Sequence, residues 1–241
     1  MKHYIIGDIH GEYQMLEALV AKLPSKARLI FVGDLINRGS QSKEVVSFVK
    51  NHAFGVVRGN HEEYLLKYGT LLLEALELAS RSKCSVIWPY KAISSTLRSY
   101  GLLMPHSNRV IPNLQGIKSL KADMAWMASL PLYLELGQPK GYPLPVVVSH
   151  GSIDKYWFFK DTFPDYFAYH VLNNRSDPSV SAPIFNIYGH ESYDRVRCEK
   201  NFVSLDTGCG KDRQGKLSAY CLETKEVVDV KKSEIQEVWV A

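Results

Sequence analysis

The feature that most restricts how this chain can fold is a unit repeated three times within its first sixty residues: a short apolar strand, a polar cluster led by glycine, and an amphipathic helix. Strands alternating with helices of this length form βαβ units around a parallel sheet, because a parallel neighbour can be reached only by a crossover long enough to return the chain. The strands are expected over His3 to Gly7, Arg28 to Gly33 and Phe54 to Arg58. The first helix carries Leu16, Leu19, Val20 and Leu23 and is stopped by Pro24; the second starts near Ser42 with Val45, Val46, Phe48 and Val49 on one face; the third runs from about Glu62 to Ala79. Each polar cluster therefore falls at the carboxyl end of a strand, where α/β sheets gather their ligands.

The pattern loosens further on. Residues 80 to 135 read as helical and irregular, with Trp88, Trp126 and several prolines, and are expected to form a cap or insertion over the strand ends. After Pro145 the apolar runs are short and separated by turns, at 146–149, 184–188, 202–205, 217–222 and 227–230, which predicts a second, more antiparallel sheet. No linker, repeat or low-complexity tract divides the chain, so one α/β domain over residues 1–241 is expected, with about 80–140 as the helical cap.

Composition bounds the function. With 46% apolar and 22% charged residues the chain has the balance of an ordinary globular protein. No run approaches the roughly 20 apolar residues of a membrane span, and the start lacks a secretory apolar region, so a cytoplasmic location without a membrane partner is expected. The four cysteines (Cys84, Cys198, Cys209, Cys221) show neither metal-finger spacing nor a disulfide framework. A net charge of +4, spread rather than gathered into an arm, argues against a nucleic-acid partner while suiting an anionic substrate. A monomer is expected.

Three clusters carry the chemistry: Gly7-Asp8-Ile9-His10-Gly11, Gly33-Asp34-Leu35-Ile36-Asn37-Arg38-Gly39 and Gly59-Asn60-His61-Glu62. Asp8 and His10, two apart in extended chain, point to one side and can chelate one ion. Mixed oxygen and nitrogen donors suit manganese, iron or zinc rather than a thiolate-selecting metal. Ser149-His150-Gly151 and Tyr188-Gly189-His190 add two imidazoles directly after apolar strands. Taken singly, a G-D-x-H-G run is as readily a plain turn, and a strand-end histidine is more often structural. Three clusters in fixed order at about 26-residue intervals, each after a strand, form a set that turns alone do not account for.

These blocks resemble the metallophosphoesterase signature, D-x-H, then G-D, then G-N-H-[E/D]. More narrowly they are similar to the phosphoprotein phosphatase (PPP) family of serine/threonine phosphatases in its compact bacterial and phage form. The likeness covers about residues 3 to 225, including the closing Leu205-Asp206-Thr207-Gly208-Cys209, and is weakest between 80 and 140. It implies a central β-sandwich of mixed sheets flanked by helices, and two divalent cations, manganese first, with iron or zinc as alternatives. Asp8 and His10 would hold the first ion, Asp34 would bridge, and Asn60, His150 and His190 would hold the second. Hydroxide shared by the two ions would attack phosphorus directly. His61 would be the general acid, and Arg38 and Arg175 would grip the phosphoryl oxygens together with Asn60. The resemblance implies phosphoserine or phosphothreonine in proteins as substrate, with phosphotyrosine as an extension. Symmetrical diadenosine tetraphosphate hydrolases share the metal motifs and stand as the alternative; a silent metal-binding module is a third reading.

The chain departs from the PPP pattern at Asn37, where an aspartate normally orients and charges the acid histidine. The Asn37 oxygen is expected to accept a hydrogen bond from the His61 imidazole without stabilising its charge. Gly189-His190-Glu191 replaces the usual G-H-T, while Ser40 and Glu62 depart from the tetraphosphate hydrolases. Arg58 is either a phosphate contact or a salt-bridge partner. Tyr156-Trp157-Phe158-Phe159 is expected to pack beneath the site rather than line a groove. Cys209 is expected at the site floor, His106 and His170 have no partner at motif spacing, and His3 and His52 read as surface or strand-edge residues.

Overall fold

The computed structural model describes residues 1–82, 91–111 and 113–237. In chain order the elements are β1 (His3–Ile6), α1 (Tyr13–Ala21), β2 (Arg28–Phe31), α2 (Ser42–His52), β3 (Ala53–Val56) and α3 (Asn60–Ser82). A short 3-10 turn at Lys91–Ile93 leads into α4 (Ser94–Ser99), α5 (Leu114–Ala128), β4 (Tyr133–Glu135) and β5 (Val146–Ser149). A second 3-10 helix, Asp154–Phe159, precedes α6 (Pro164–Asn173) and β6 (Phe185–Tyr188). The chain continues through β7 (Arg197–Cys198), β8 (Phe202–Ser204), β9 (Lys216–Cys221), β10 (Val227–Lys231) and α7 (Lys232–Glu237). Cys84 and Trp88 lie outside the described residues.

Two five-stranded sheets form, in the orders β10-β9-β1-β2-β3 and β4-β5-β6-β8-β7. The period-2 alternation of apolar residues sorts them into layers. Tyr4, Ile6, Leu29 and Phe31 face a core shared with α1, α2 and α3, whereas Ile5, Ile30 and Val32 face the other sheet. Val146, Val148, Ile187, Val203 and Leu205 meet them from the second sheet, closing a sandwich. Val147 points the opposite way, against Phe167 and Val171 of α6. A fully buried side chain of this kind stabilises the fold by about 1.5–3 kcal/mol.

The three early βα units form as expected, with β1 and β2 parallel and β2 and β3 parallel. The expectation of a second sheet that is mainly antiparallel is corrected. β5, β6 and β8 are parallel neighbours, with antiparallel strands only at the edges, β4 and β7. The hairpin β9–β10 instead extends the first sheet, antiparallel to β1. The physical reason is α6: Pro164, whose fixed φ suits the first turn of a helix, starts a crossover helix that carries the chain from β5 to a parallel β6. The segment around α4 and α5 is helical, as expected. Ile93, Leu97, Leu102, Ile117, Leu120 and Met127 join the main core, so it packs beside α2 and α3 and reaches the strand ends only at its margin.

Candidate metal centre

All the strand-end clusters converge at one edge of the sandwich, and the backbone there is strained. Among the described residues seven non-glycines have positive φ, and five of them are His10, Asp34, Asn37, Arg38 and His190. Each such residue costs on the order of 1–3 kcal/mol, and such conformations persist only where the surroundings enforce them. Glu62 is one enforcer. It is fully buried in the first turn of α3, and its carboxylate accepts from the backbone N–H groups of Asp34 (2.8 Å), Leu35 (2.9 Å), Ile36 (3.3 Å) and Gly59 (2.9 Å). One side chain thus ties the loop after β2 to the loop after β3. Gly59 makes this possible, since a Cβ there would collide with the Asp34 carboxylate.

Asp34 is the hub. Its Oδ1 accepts from His61 N–H at 2.9 Å and lies 3.5 Å from His150 Nε2; its Oδ2 lies 3.6 Å from His10 Nε2 and 3.8 Å from His61 Nε2. The two oxygens of one carboxylate therefore face two separate groups of nitrogen donors. Asp8 adds an oxygen 3.9 Å from His10 Nε2, and both its oxygens accept from the backbone N–H of His190 at 3.2 Å. Gly189 is required beside it, because a Cβ would strike Asp8 Oδ1.

Second-sphere contacts fix which imidazole nitrogens face inward. His10 Nδ1 donates to the Ile36 carbonyl at 3.1 Å, and His150 Nδ1 donates to the Val32 carbonyl at 3.0 Å. In each neutral ring this leaves a lone pair on Nε2, aimed at the carboxylates. His10 Nε2 is buried without any hydrogen-bond partner. Asn60 Oδ1 lies 2.8 Å from His150 Nε2, 3.2 Å from His190 Nδ1 and 3.1–3.2 Å from the Asp34 oxygens. Turned over, the amide would donate to those same atoms; turned as it is, an oxygen and three other acceptors share one small space. So many lone pairs converging in a buried site repel unless a cation lies among them. The donors, carboxylate and amide oxygens with imidazole nitrogens, fit manganese, iron or zinc, and two overlapping sets meet at Asp34.

Electrostatics agree with that fit. Burial, with Asp206 and Asp34 nearby, pushes the Asp8 carboxyl well up, and burial raises Asp34 to about 7. Burial, aided by Arg38, holds His10 well below its usual value; burial, aided by His190, does the same to His150. Burial lowers His61 and His190 to about 4. Carboxyls that hold protons tightly lack positive charge nearby, and imidazoles that shed them keep their lone pairs free, so both shifts suit a site that takes up a cation.

The substrate side is more open. Arg38 is exposed at the rim, and its charge reaches Asp8, His10, Asp34 and His61. Arg175 is 60% exposed, with Nη1 donating to Glu191 Oε2 at 2.7 Å, so the unusual Glu191 steadies this arginine. Arg58 pairs with Glu63 at 3.2 Å, the salt-bridge reading of the sequence. A cleft of about 530 Å³ opens from Asn37, Asn60 and His61 between Tyr64 and Lys67 of α3 and Tyr169 of α6. Cys209 lies on the floor, donating to the Ile9 carbonyl. The aromatic segment divides: Tyr156 and Trp157 pack against the α6 core, while Phe158 is 71% exposed.

One expectation is reversed. Asn37 presents its amide nitrogen, not its oxygen, to His61 Nδ1, at 2.8 Å, while its oxygen meets the Thr96 hydroxyl at 2.6 Å. Thr96, Glu62 and Asp206 are the functional positions that motif reading left without a role. Asp206 is buried and accepts from Ser192 Oγ and from Gly208 N–H, the latter at 2.8 Å, fixing two loops beside Asp8. Glu62 and Asp206 stood inside quoted motifs, and a carboxylate predicted to be buried was their available signal; Thr96 had none.

A family model matches residues 1–193, and the chain belongs to the calcineurin-like phosphoesterases. Among curated relatives, a symmetrical bis(5'-nucleosyl)-tetraphosphatase of Coxiella burnetii is 47% identical over 70 residues, covering 27% of this chain and 24% of the relative. Serine/threonine-protein phosphatase 2 of Escherichia coli is 42% identical over 67 residues, covering 27% of this chain and 31% of that one. The matched part is thus under a third of either relative's length. A solved protein provisionally named a diadenosine tetraphosphatase superposes with a TM-score of 0.59 at 21% identity, covering 95% of this chain and 93% of its own. A serine/threonine phosphatase from Saccharomyces cerevisiae gives 0.56 at 16% identity, covering 95% and 79%. At these identities the likeness is one of fold. Among the described residues no helix is long and apolar enough to cross a membrane.

Proposed function

We propose that this chain is a metal-dependent phosphatase that passes the phosphoryl group of phosphomonoesters directly to water, with phosphorylated proteins as its substrates. The division of the Asp34 carboxylate between two donor groups carries the chemical part of this reading. Asp8, His10 and Asp34 would hold one divalent cation, and Asp34, Asn60, His150 and His190 the other. When bound, the pair supplies Lewis-acid activation of water and neutralises phosphoryl charge. Arg38 and Arg175 present exposed guanidinium forks to the equatorial phosphoryl oxygens, and Glu191 limits the swing of Arg175. His61 stands at the mouth of the cleft, where Nε2 can give a hydrogen bond to the leaving oxygen. Asn60 is placed to orient substrate as well as to bind metal.

A polypeptide substrate is supported by the surface beyond the cleft. Phe158, Phe163, Tyr166 and Tyr169 are 71%, 57%, 50% and 63% exposed, and Tyr169 lines the cleft itself. Exposed aromatic surface continuous with a site suits the flanking residues of a peptide. The second reading, hydrolysis of dinucleoside polyphosphates, is favoured by the neutral Asn37 beside His61, since phosphoanhydrides need little acid assistance. Rates on phosphotyrosine and phosphoserine peptides and on diadenosine tetraphosphate, with manganese and with chelator, test both. Chelator-sensitive turnover of the phosphopeptides is expected. Turnover of the dinucleotide alone would overturn the substrate reading, and no turnover of any would overturn the reaction.

A further inference from the structure

We propose that a lysine-lined hollow beside the metal centre is a subsite for carboxylate side chains of the substrate, so that this phosphatase prefers phosphorylated residues with acidic neighbours. The inference rests on the phosphoprotein reading above.

The hollow measures about 560 Å³ and lies between the segment that follows His190 and the loop that leads from Asp206 into β9. Lys211, Lys216 and Lys231 line it, together with Asp194 and Asp212. Among the described residues it shares no lining residue with the cleft that opens from Asn37, Asn60 and His61. Gly210 sets its place relative to the reaction centre. That residue has φ 75°, and a Cβ on it would stand 2.8 Å from His10 Cβ and 3.4 Å from Arg38 Cβ. The loop therefore lies directly against His10 and Arg38, and the exposed Lys211 is its next residue.

The cations of this hollow are short of partners. Lys216 and Lys231 stand directly opposite each other across the antiparallel β9–β10 pair, so their side chains leave the same face of the sheet. Like charges in that position repel, and an anion between them relieves the repulsion. Lys216 Nζ donates to the Asp194 carbonyl at 3.1 Å. Lys211 and Lys231 are exposed, and their ammonium groups make no hydrogen bond or ion pair among the described residues. The two aspartates do not neutralise them, since neither forms an ion pair with a lysine of the hollow. Asp212 Oδ1 instead accepts from the N–H groups of Gln214 at 2.8 Å and Gly215 at 3.1 Å, holding its own turn.

A carboxylate suits such a wall. Ammonium groups on flexible stems receive an anion without demanding one geometry, whereas the guanidinium forks of Arg38 and Arg175 match phosphoryl oxygens. A peptide held by its phosphoryl group at Arg38 brings its neighbours to both borders of the centre. On the His61 side they meet Tyr169 and the exposed aromatic surface; on the His10 side they meet the lysines. Extended chain advances about 3.3 Å per residue, so acids one to three positions from the phosphorylated residue fall within about 10 Å of it.

The manganese-loaded enzyme is tested on phosphoserine and phosphotyrosine peptides that differ only in their flanks. The flanks are alanines throughout, three glutamates before the phosphorylated residue, three glutamates after it, or lysines in the better of those two positions. At low salt, kcat/KM for the better acidic peptide is expected to exceed that of the alanine peptide about tenfold, as two exposed ion pairs would supply. Added salt should shrink the preference. Lys211→Gln and Lys231→Gln should each reduce it about threefold, and Lys211→Glu combined with Lys231→Glu should turn it toward the lysine-flanked peptide. Each preference is a ratio within one protein, so the folded fraction cancels. Equal turnover of alanine and acidic peptides by wild type, or a preference unmoved in both glutamine variants, overturns the subsite and leaves the phosphatase reading intact. Lysine-dependent hydrolysis of diadenosine tetraphosphate without any peptide preference gives the hollow to a polyphosphate and also overturns the proposal. No turnover of any phosphopeptide overturns the phosphoprotein reading itself, and the subsite with it.

Discussion

The two sheets bring their ligands to the same point by different means. In the first, the loops after β1 and β2 are bent into left-handed backbone at His10, Asp34, Asn37 and Arg38, and one buried carboxylate, Glu62, binds four N–H groups of the loops after β2 and β3. In the second, His150 and His190 leave strand ends with less support of their own. His150 leans on the Val32 carbonyl and His190 on the Asp8 carboxylate, both belonging to the first sheet. The first half is a self-braced frame, and the second is docked onto it.

This contrast makes graded predictions. The largest effect is expected at Glu62. Glu62→Gln replaces an acceptor of four backbone bonds by a group that must also donate, and metal affinity should fall by about 10–100-fold, the usual cost of losing an outer-shell partner. Calorimetric titration with manganese measures it; unchanged affinity would break the idea of a braced frame. In the second half, Asn186 is fully buried, accepts from Ile153 N–H at 2.9 Å and donates to Ser149 Oγ at 2.9 Å. Asn186→Ala should destabilise by about 1–3 kcal/mol in denaturant melts. Its metal affinity should nonetheless stay near wild type, since these bonds shape β5 and β6 rather than the ligand loops.

Smaller effects sharpen the comparison at the rim. Glu191→Gln weakens the hold on Arg175 and should raise KM for phosphate esters a few-fold with little change in kcat. A fall in kcat of the same size would place Glu191 in the chemistry instead. The smallest effect concerns the edge of the second sheet, where hydrogen bonds from Arg197 of β7 hold Asp177 below the ordinary carboxylate value of 3.8. A carboxylate depressed by folding adds stability that is present above its unfolded value and lost as pH falls through its folded one. Asp177→Asn should therefore flatten the decline of Tm between roughly pH 5 and pH 3 relative to wild type. A parallel decline in the two proteins would show the pair to be inert.

How much of this was readable in the sequence follows the same division. The first half was legible because strand, glycine turn and helix recur, and because Asp8, His10, Asp34, Asn60 and His61 sit inside tight motifs at strand ends. The fold of the second half was less so. Alternation marks a strand but not its partner, so β9 and β10 were read with the sheet they follow, when β9 pairs with β1. The contact between Asn37 and Thr96 was not readable at all. Thr96 lies 59 residues from Asn37, in a segment whose sequence carries no motif. Local pattern cannot encode a contact of that kind, whereas the motif could have suggested Glu62, since a carboxylate following Asn60 and His61 in a buried first turn must find donors.

The account stands on Asp34 joining two donor groups into a two-metal site. Metal content after equilibration with manganese, measured alongside hydrolysis of p-nitrophenyl phosphate, tests it most directly. Two ions per chain are expected in wild type, with activity lost to chelator and restored by manganese, and Asp34→Ala should lose both bound metal and hydrolysis. An Asp34→Ala protein that keeps two ions and normal turnover would contradict it.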